Sequence, residues 1–373
     1  MSKISRYMKK SIDSFPNTVR TYRTTYGELR AINKKKDLYS GVIWSDEQEQ
    51  LFNEFWEKNY GRRISSAWNK LYQSANGIFD EKYFPEFYYT TRIEPRLNPY
   101  HYCVAFSDKN LLPYLFGGFE GLYIPRVYLS CVNGIYKIDK DELVSKNIAI
   151  LRLQNIGQCV IKPSINSGSG SGVYIADIKN GIDSHSGRAI SEVLYELGNN
   201  YVVQETIRNN TELSELCPQS LNTLRVITYY VEDAIHCAPV TLRMGNGNNR
   251  VDNIHAGGLC VGVNTNGTLK PKAYLLGHGD NNKVFDSHPS SKRVFNQYYI
   301  GDVEKVVKTA IGLHKRIPQL GIVSWDLSIN DNNQITLIEA NCRDQSVWFP
   351  QIVNGCSFFG NDTEFFCNMM RKK

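Results

Sequence analysis

Two acidic runs near the C-terminus have the residue types and spacing of a metal site. Asp326 lies in the apolar run 322–328, and Glu339 and Asn341 lie in the run 335–341. Residues 330–333 between them read Asn-Asp-Asn-Asn, a turn signal because these side chains bond their own backbone and tolerate left-handed conformations. A hairpin about this turn would place Asp326 opposite Glu339, with Glu339 and Asn341 on one face.

Paired carboxylates on a buried sheet repel each other unless a cation lies between them. Carboxylate and amide oxygens suit Mg²⁺, which usually keeps waters and nucleotide phosphates as its other ligands. Asp326, Glu339 and Asn341 are therefore predicted metal ligands. The pattern indicates a magnesium–nucleotide enzyme.

A lysine and a loop of small residues form a second candidate site. Lys162 ends an apolar run and is followed by alternating Ser and Gly at Ser167, Gly168, Ser169 and Gly170. Such a loop lets backbone N–H groups approach phosphate oxygens, and a lysine beside it can reach the same phosphates. A hairpin tip at the protein surface is the alternative, and the order of residues does not fit the P-loop pattern.

Nucleotide recognition is also predicted for residues 201–212. The run 201–205 reads as a strand that ends in Gln204 and Glu205, and its backbone groups could meet an adenine edge. Glu212 follows one short loop later and could accept hydrogen bonds from ribose hydroxyls. A solvated loop glutamate is the alternative for Glu212.

Three basic side chains are candidates for binding the reacting groups. Arg225 and Arg243 lie in apolar strands, where a buried guanidinium needs a partner. That partner is either a phosphate or carboxylate held by two hydrogen bonds, or a structural Asp or Glu. His255 precedes the pair Gly257-Gly258 and could orient an acceptor substrate, or serve only the local structure.

Helices and short strands must position these residues. Amphipathic helices are predicted at 47–58, with Ser45 as N-cap, and at 65–75. Further along the chain the patterns predict helices at 189–197 and 303–315, and strands at 160–163, 172–178, 201–205, 224–231, 235–243, 322–328 and 335–341. We therefore predict an α+β fold with a helical N-terminal region, 1–100, and two α+β lobes, 101–205 and 206–373.

Composition limits the class of protein. The 373 residues are 42% hydrophobic and 21% charged, as in an ordinary soluble globular protein. No apolar run reaches about 18 residues, and the N-terminus lacks the apolar stretch of a secretory signal. The nine Cys include no Cys-x-x-Cys pair, which favours a reducing, cytoplasmic location over a disulfide framework or zinc site.

The formal net charge of +6 is concentrated in the first third of the chain. A solvated helical surface is the simpler interpretation, and peripheral contact with anionic lipid or glycan is the alternative. No aromatic-interleaved basic motif indicates nucleic-acid binding. The sequence does not define the oligomeric state.

The ordered set of motifs resembles the ATP-grasp superfamily, and more narrowly its sugar-transfer-associated family. The closer likeness extends over about residues 80–355 and is carried by five stretches: 107–110, 160–164, 220–226, 251–258 and 338–341. The resemblance implies an ATP-grasp fold, in which two α+β lobes clasp ATP. Two departures are Asn209-Asn210, where the family often has His, and Ser324-Trp325, where small residues are common.

The resemblance also implies roles for individual residues. Lys109 and Lys162 would bind nucleotide phosphates, and the Ser/Gly loop would close over them. Gln204 and Glu205 would line the adenine pocket, and Glu212 would meet the ribose. Asp326, Glu339 and Asn341 would hold one or two Mg²⁺. Arg225 and Arg243 would face the γ-phosphate or the acceptor carboxylate, with an acceptor pocket formed by Arg243, Asp252, His255 and Trp348.

The function that this resemblance implies is ATP- and Mg²⁺-dependent ligation of a carboxylate to an amine through an acyl phosphate. Its family context suggests joining an amino acid or amine to a sugar acid, sugar nucleotide or glycan in surface-polysaccharide or capsule biosynthesis. Two alternatives remain open. The same site could phosphorylate a hydroxyl as a kinase, or the chain could be a non-catalytic scaffold that binds glycan or partner enzymes.

Overall fold

A computed structural model describes residues 17–138, 142–165, 167, 171–247, 257–276 and 283–371. These residues form two compact units. The helical unit comprises the described residues of 1–98 and 344–373, and the sheet unit comprises those of 99–343. None of the helices in the described ranges is long and apolar enough to cross a bilayer.

Helices and strands are numbered along the described chain. Helices α1–α14 span Asn17–Lys34, Lys36–Tyr39, Asp46–Tyr60, Ala67–Asn76, Glu86–Tyr88, Glu94–Leu97, Tyr100–Phe106, Leu112–Phe116, Lys146–Leu153, Ile190–Leu197, Thr211–Leu216, Val303–His314, Trp348–Asn354 and Thr363–Arg371. Strands β1–β16 span Leu122–Tyr123, Val127–Val132, Ile135–Ile138, Glu142–Val144, Gly157–Pro163, Tyr174–Lys179, Ile182–Asp183, Asn200–Glu205, Thr223–Val231, Ala234–Cys237, Thr241–Met244, Leu259–Val263, Leu269–Leu275, Lys283–Phe285, Ile322–Ile329 and Ile335–Asn341. Short 3₁₀ turns occupy Lys109–Leu111, Phe295–Gln297 and Gly360–Asp362, and a π-helical turn occupies Tyr89–Ile93.

The helical unit forms where amphipathic patterns predict helices. Helix α3 begins with a reciprocal cap, in which Ser45 Oγ accepts from Gln48 N and the Gln48 side chain accepts from Ser45 N, both at 3.2 Å. The helix predicted at 47–58 has an apolar stripe that includes Leu51, Phe52 and Trp56. Phe52 and Trp56 are buried, whereas Leu51 is 45% exposed, so the buried face is narrower than the pattern predicts.

The sheet unit contains two sheets. The seven-stranded sheet has the order β4-β3-β2-β8-β5-β6-β7. The nine-stranded sheet has the order β1-β16-β15-β9-β11-β12-β13-β14, with β10 also paired to β9. Helices α9 and α10 share a core with the first sheet, and α12 shares one with the second. The predicted α+β class is therefore confirmed.

The chain passes between the two sheets at two neighbouring connections. Residues 124–126 lead from β1 of the nine-stranded sheet to β2 of the seven-stranded sheet. The return connection follows Glu205 at the end of β8, and Asn209 then bridges to Asn330 beside β15. Glu205 N donates to Arg126 O at 3.0 Å, so the two connections are hydrogen-bonded to each other.

Domain limits near residues 100 and 205 stay predictions, but one segment is placed differently from the prediction. The seven-stranded sheet lies within residues 127–205, and β9–β16 lie within 223–341. Helices α13 and α14 belong to the helical unit rather than to the second lobe. Phe359, in the segment between these helices, contacts its neighbour Phe358, Phe366 of α14 and Phe84 of the N-terminal region.

The single strand predicted at 235–243 is wrong. Two strands, β10 and β11, pair with β9 and are separated by residues 238–240. Pro239 lies in this gap, and proline has no N–H to donate to a neighbouring strand. Residues 237–240 read Cys-Ala-Pro-Val and are all apolar, so hydrophobicity alone does not mark an interruption of the strand.

Candidate functional site

The predicted hairpin brings the three proposed metal ligands together. β15 and β16 pair with Asp326 opposite Glu339, as predicted. Asn341 Nδ2 donates to Asp326 Oδ2 at 3.3 Å and to Ser324 O at 3.3 Å. Asp326 is only 4% exposed. The three side chains therefore form one polar cluster on an otherwise apolar hairpin.

A bulge in this hairpin places a backbone carbonyl in the same cluster. The pairing shifts register after Asp326, so that Leu327 pairs with Leu337 and Ile338 has no opposite residue. The carbonyl oxygen of Ile338 lies 3.4 Å from Lys162 Nζ. This hydrogen bond connects a lysine of the seven-stranded sheet with the β15–β16 hairpin of the nine-stranded sheet.

Strand order explains why two arginines contact Asp326. β9 lies between β15 and β11, and Arg225 pairs with both Asp326 and Thr241. Arg225 binds the carboxylate with two hydrogen bonds, Nε to Oδ1 at 2.5 Å and Nη2 to Oδ2 at 3.1 Å. Arg243 Nη2 lies 3.1 Å from Oδ2 of the same carboxylate. Thr223 Oγ1 accepts from Arg243 Nη2 at 2.9 Å, which fixes the guanidinium.

The electrostatics of Asp326 follow from these contacts. Burial by itself would raise the pKa of Asp326. The opposing charges of Arg225 and Arg243, with hydrogen bonds from Arg225 and Asn341, outweigh burial and lower that pKa. Asp326 is therefore held as a carboxylate.

Lys109 binds the second carboxylate. Its Nζ lies 2.9 Å from Glu339 Oε1 and 3.0 Å from Ser167 Oγ. Asp108 caps the 3₁₀ turn that carries Lys109 by accepting from Asn110 N at 2.9 Å. The backbone N of Lys109 donates to Ser164 O at 3.0 Å, which attaches this turn to the end of β5.

Lys162 points from β5 toward the same carboxylates and is 8% exposed. Burial lowers the pKa of Lys162 to about 8, and the nearby charge of Lys109 adds to this effect. Glu339 and Asp326 oppose it. A phosphate that contacted both lysines would stabilise their charged forms.

The Ser/Gly loop is described in part. Ser167 Oγ donates to Pro163 O at 3.2 Å and accepts from Lys109, so the loop begins beside both lysines. Gly172 has φ +78°, and a Cβ there would lie 2.9 Å from Pro163 Cγ, so this position requires glycine. The predicted phosphate-binding residues Gly168, Ser169 and Gly170 lie outside the described residues.

The predicted adenine and ribose residues lie at the connection between the sheets. Gln204 is buried at the end of β8, between Val127 and Val160 of the neighbouring strands. Glu205 Oε1 accepts from Arg126 N at 2.7 Å and from the hydroxyl of Tyr123. One oxygen of the carboxylate is thus bound within the protein, and adenine contact by Glu205 stays a prediction.

Glu212 is not brought to the charged cluster. It is exposed in the first turn of α11, which Asn210 caps by accepting from Leu213 N at 3.2 Å. Its backbone carbonyl accepts from the Tyr298 hydroxyl at 2.7 Å. The predicted ribose contact of its carboxylate stays a prediction.

Three predicted acceptor-pocket residues cannot be placed beside Arg243. Asp252 and His255 lie outside the described residues. Trp348 begins α13 in the helical unit, where Lys35 Nζ lies 5.2 Å from the centre of its ring. The roles of all three stay predictions.

Sequence reasoning missed several polar groups near the lysines. Both polar atoms of the Asn110 side chain and the hydroxyl of Ser164 are buried without a hydrogen-bond partner in the described part of the chain. The contact of Tyr123 with Glu205 is likewise not predicted from the sequence. Asn110 and Ser164 lie in stretches that carry the family resemblance, whereas no sequence signal marks Tyr123.

The cluster has an excess of positive charge. Four cationic side chains surround two carboxylates, and the six residues are Lys109, Lys162, Arg225, Arg243, Asp326 and Glu339. Such an excess suits a polyanion such as a triphosphate. The arrangement also keeps both carboxylates paired in the absence of a ligand, because each of them contacts at least one cation.

The donor set suits Mg²⁺. Two carboxylates and one amide on adjacent strands offer the hard oxygen ligands that this ion prefers, with places left for water and phosphate. Among the described residues there is no group of three or more His, Cys, Asp or Glu side chains that could hold a metal.

Fold and sequence together define the class. A sequence profile of the ATP-grasp superfamily matches residues 88–366, and the fold is an α+β ATP-grasp fold. The profile is the one described as sugar-transfer associated ATP-grasp, and this chain belongs to that family. The predicted resemblance is confirmed, including its narrower form. No curated protein matches the chain.

Several solved structures are similar at low identity. VanG D-Ala:D-Ser ligase from Enterococcus faecalis is 14% identical with a TM-score of 0.39, covering 72% of this chain and 60% of that one. A biotin carboxylase–beta-gamma-ATP complex from Campylobacter jejuni is 13% identical with a TM-score of 0.40, covering 72% and 47%. The chain thus spans less than two thirds of either structure, and the family assignment rests on the sequence profile.

Proposed function

We propose that the chain is an ATP- and Mg²⁺-dependent carboxylate–amine ligase. The observation that carries the proposal is the cluster around Asp326 and Glu339, in which two potential metal ligands are paired with Arg225 of β9 and with Lys109 of a 3₁₀ turn. A kinase or ligase of this family needs both the metal ligands and the cationic side chains, because the metal ion and these cations together must neutralise a triphosphate. A scaffold without nucleotide chemistry has no need to bury these charges at a desolvation cost.

Each side chain of the cluster has a role in this proposal. Asp326, Glu339 and Asn341 would hold Mg²⁺, which would supply positive charge to neutralise the nucleotide phosphates. Lys109 and Lys162 would bind phosphate oxygens as point charges. Arg225 and Arg243, which also bind Asp326, would place positive charge beside the γ-phosphate or an acceptor carboxylate.

The proposed reaction has two steps. An oxygen of the substrate carboxylate bonds to the γ-phosphorus while the bond to ADP breaks, giving an acyl phosphate and ADP. The amine nitrogen then bonds to the acyl carbon, inorganic phosphate leaves, and the amine loses a proton. The Ser/Gly loop would exclude water from the acyl phosphate between these steps.

The family suggests the class of substrate. A sugar-transfer association favours a sugar acid, free or as a sugar nucleotide or glycan, as the carboxylate, with an amino acid or other amine as the acceptor. Such a reaction would belong to surface-polysaccharide or capsule biosynthesis. We place it in the cytoplasm, where ATP is available, and the absence of a Cys-x-x-Cys pair among the nine cysteines is compatible with a reducing compartment.

The decisive experiment follows an isotope from the carboxylate. Uronic acids labelled with ¹⁸O in the carboxyl group are incubated with ATP, Mg²⁺ and a panel of amino acids, and the products are analysed by mass spectrometry. We expect an amide, ADP, and inorganic phosphate that carries one ¹⁸O atom from the carboxylate. A stable phosphoester with no labelled phosphate would identify a kinase instead.

Two variants control this assay. Glu339→Gln removes a proposed metal ligand and should abolish ADP release. Glu304→Gln changes a 69% exposed glutamate of α12 that pairs with Lys308, and should retain it. If wild-type protein binds neither ATP nor MgATP by calorimetry, the scaffold function replaces the ligase.

A further inference from the structure

Helix α1 exposes a face with an unusual composition. Tyr22, Tyr26 and Leu29 are 77%, 62% and 47% exposed, although large apolar side chains are usually buried. Arg23, Arg30 and Lys34 are exposed as well. No ion pair or hydrogen bond engages these three cations within the described chain. The face is therefore apolar and cationic without internal partners.

Helical geometry separates the two kinds of residue into adjacent stripes. At about 100° per residue, Leu29, Tyr22 and Tyr26 fall within about 60° of the helix circumference. Arg30, Arg23 and Lys34 fall in the next part of the circumference, within about 40°. We name these six residues the α1 face.

The opposite side of α1 anchors the helix to the helical unit. Ile32 is 6% exposed there, and Glu28, the single acidic residue of α1, is not on the exposed side. Helix α1 packs against the segment 86–93 of the same unit. The α1 face is thus presented by a helix that is already folded, without any acidic residue among its exposed side chains.

We propose that the α1 face binds the surface of an anionic lipid bilayer. An apolar stripe beside a cationic stripe is the arrangement of helices that lie in the plane of a membrane interface. Tyrosine suits this interface because its ring is apolar and its hydroxyl remains hydrated. Lysine and arginine at the edge of the stripe would contact anionic headgroups. This binding does not depend on the proposed ligase activity.

Two other occupants fit the face less well. In a symmetric dimer the same face meets itself, and Arg23, Arg30 and Lys34 of two copies would be brought together. The phosphates of a nucleic acid would pair with the three cations, but the same charged backbone would then lie against the apolar stripe. An anionic bilayer satisfies both stripes at once.

The test uses the full chain and vesicles of defined composition. Sedimentation with phosphatidylcholine vesicles is compared with sedimentation with vesicles that contain about one third phosphatidylserine. We expect binding to the anionic vesicles only. Raising the salt from about 0.05 M to about 0.5 M should weaken binding strongly, because the Debye length falls to a few ångströms.

Variants separate the two stripes. The triple variant Arg23→Gln, Arg30→Gln, Lys34→Gln should lose about a hundredfold in vesicle affinity, at about fivefold for each cation. The triple variant Tyr22→Ser, Tyr26→Ser, Leu29→Ser should reduce affinity at low salt as well as at high salt. Circular dichroism and thermal unfolding establish that both variants are folded.

A matched control exists in the sheet unit. Tyr195, Leu143 and Leu151 are 79%, 68% and 59% exposed, so Tyr195→Ser, Leu143→Ser, Leu151→Ser removes the same residue types elsewhere. That variant should bind vesicles like the wild type. Equal loss in the control and in the α1 variants would overturn the proposal. So would absence of vesicle binding, dimerisation through the α1 face in light scattering, or preferential binding of single-stranded RNA in a competition assay.

Discussion

Lys109 Nζ lies 2.9 Å from Glu339 Oε1, and this contact joins the turn before the seven-stranded sheet to the β15–β16 hairpin of the nine-stranded sheet. Glu339 is also a proposed ligand of the metal ion, so Lys109 and the metal would compete for the same carboxylate. Binding of MgATP in the proposed enzyme therefore requires an exchange of partners, in which phosphate replaces Glu339 at Lys109 and metal replaces Lys109 at Glu339. Metal and nucleotide should consequently bind together.

The first prediction concerns Glu339. Glu339→Gln removes the negative charge of a proposed metal ligand with little change in side-chain volume. It also removes the anionic partner of Lys109. Mg²⁺-dependent ATP affinity should fall at least about tenfold, whereas affinity for ATP without Mg²⁺ should stay equal or rise. Titration calorimetry with and without Mg²⁺ measures both. An unchanged Mg²⁺ dependence would exclude Glu339 as a ligand.

The second prediction concerns the arginines at Asp326. Arg225 makes two hydrogen bonds to the buried carboxylate and Arg243 makes one short contact. Arg225→Gln should lower the free energy of unfolding by about 3 kcal/mol, and Arg243→Gln should lower it less. Urea unfolding at neutral pH measures this order. Arg188→Gln is the control, because its pair with Glu196 is exposed and should contribute less than about 1 kcal/mol.

The same variants have an expected pH dependence. The pKa of Asp326 is lowered in the folded protein, so its contribution to stability is present above the unfolded-state pKa of about 4 and is lost as the pH falls further. Arg225→Gln should raise that pKa toward its ordinary value. The stability difference between wild type and variant should therefore shrink below about pH 4. A constant difference down to the acid transition would contradict the pairing.

The site was predictable from the sequence where short-range rules decide it. The hairpin itself follows from two apolar runs and an Asn-rich turn, which are local signals, whereas the pairing of Asp326 with Glu339 also depends on the bulge at Ile338. The contact of Arg225 with Asp326 depends on β9 lying next to β15, which no local pattern specifies. Lys109 reaches Glu339 through a non-repetitive turn, so only the family resemblance indicated it.

Other differences have equally specific causes. Pro239 separates β10 from β11 within a segment that is apolar from residue 237 to residue 240, so hydrophobicity does not indicate the break that the missing N–H causes. The predicted second lobe, 206–373, includes the last 30 residues. Helices α13 and α14 within these residues belong to the helical unit instead. Contacts between distant segments decide such assignments, and one sequence does not contain them.

The third prediction tests whether Glu205 serves the connection or the nucleotide. Its carboxylate accepts from Arg126 N on the neighbouring connection and from Tyr123 OH at the end of β1. Tyr123→Phe should cost about 1–2 kcal/mol of stability through loss of a hydrogen bond to a charged group. ATP affinity should change less than about twofold, because the adenine site keeps its backbone groups.

Glu205→Ala separates the alternatives. If Glu205 acts only at the connection, the variant should lose stability but should discriminate ATP from GTP as well as the wild type does. Loss of that discrimination, measured by competitive nucleotide binding, would show that Glu205 contacts adenine, as the family resemblance implies. Tyr123→Phe is then the control that keeps the carboxylate.

The last prediction concerns Glu86 of the helical unit. Its carboxylate is 4% exposed and accepts from Val347 N at 2.9 Å and Trp348 N at 3.0 Å. Burial, reinforced by the charge of Glu28, raises the pKa of Glu86 to about 8, and the hydrogen bonds only partly oppose this. The folded protein therefore binds a proton that the unfolded chain releases near its ordinary pKa of 4.5.

The sign of the effect follows from proton binding. Between about pH 4.5 and about pH 8 the folded state holds more protons at Glu86, so this residue makes stability fall as the pH rises. Glu86→Gln keeps an oxygen acceptor for the backbone donors and removes the titration. Urea unfolding from pH 5 to pH 8 should show a shallower pH dependence in the variant, with its largest gain over wild type at pH 8. A parallel pH dependence in the two proteins would mean that Glu86 is ionised in the folded state throughout this range.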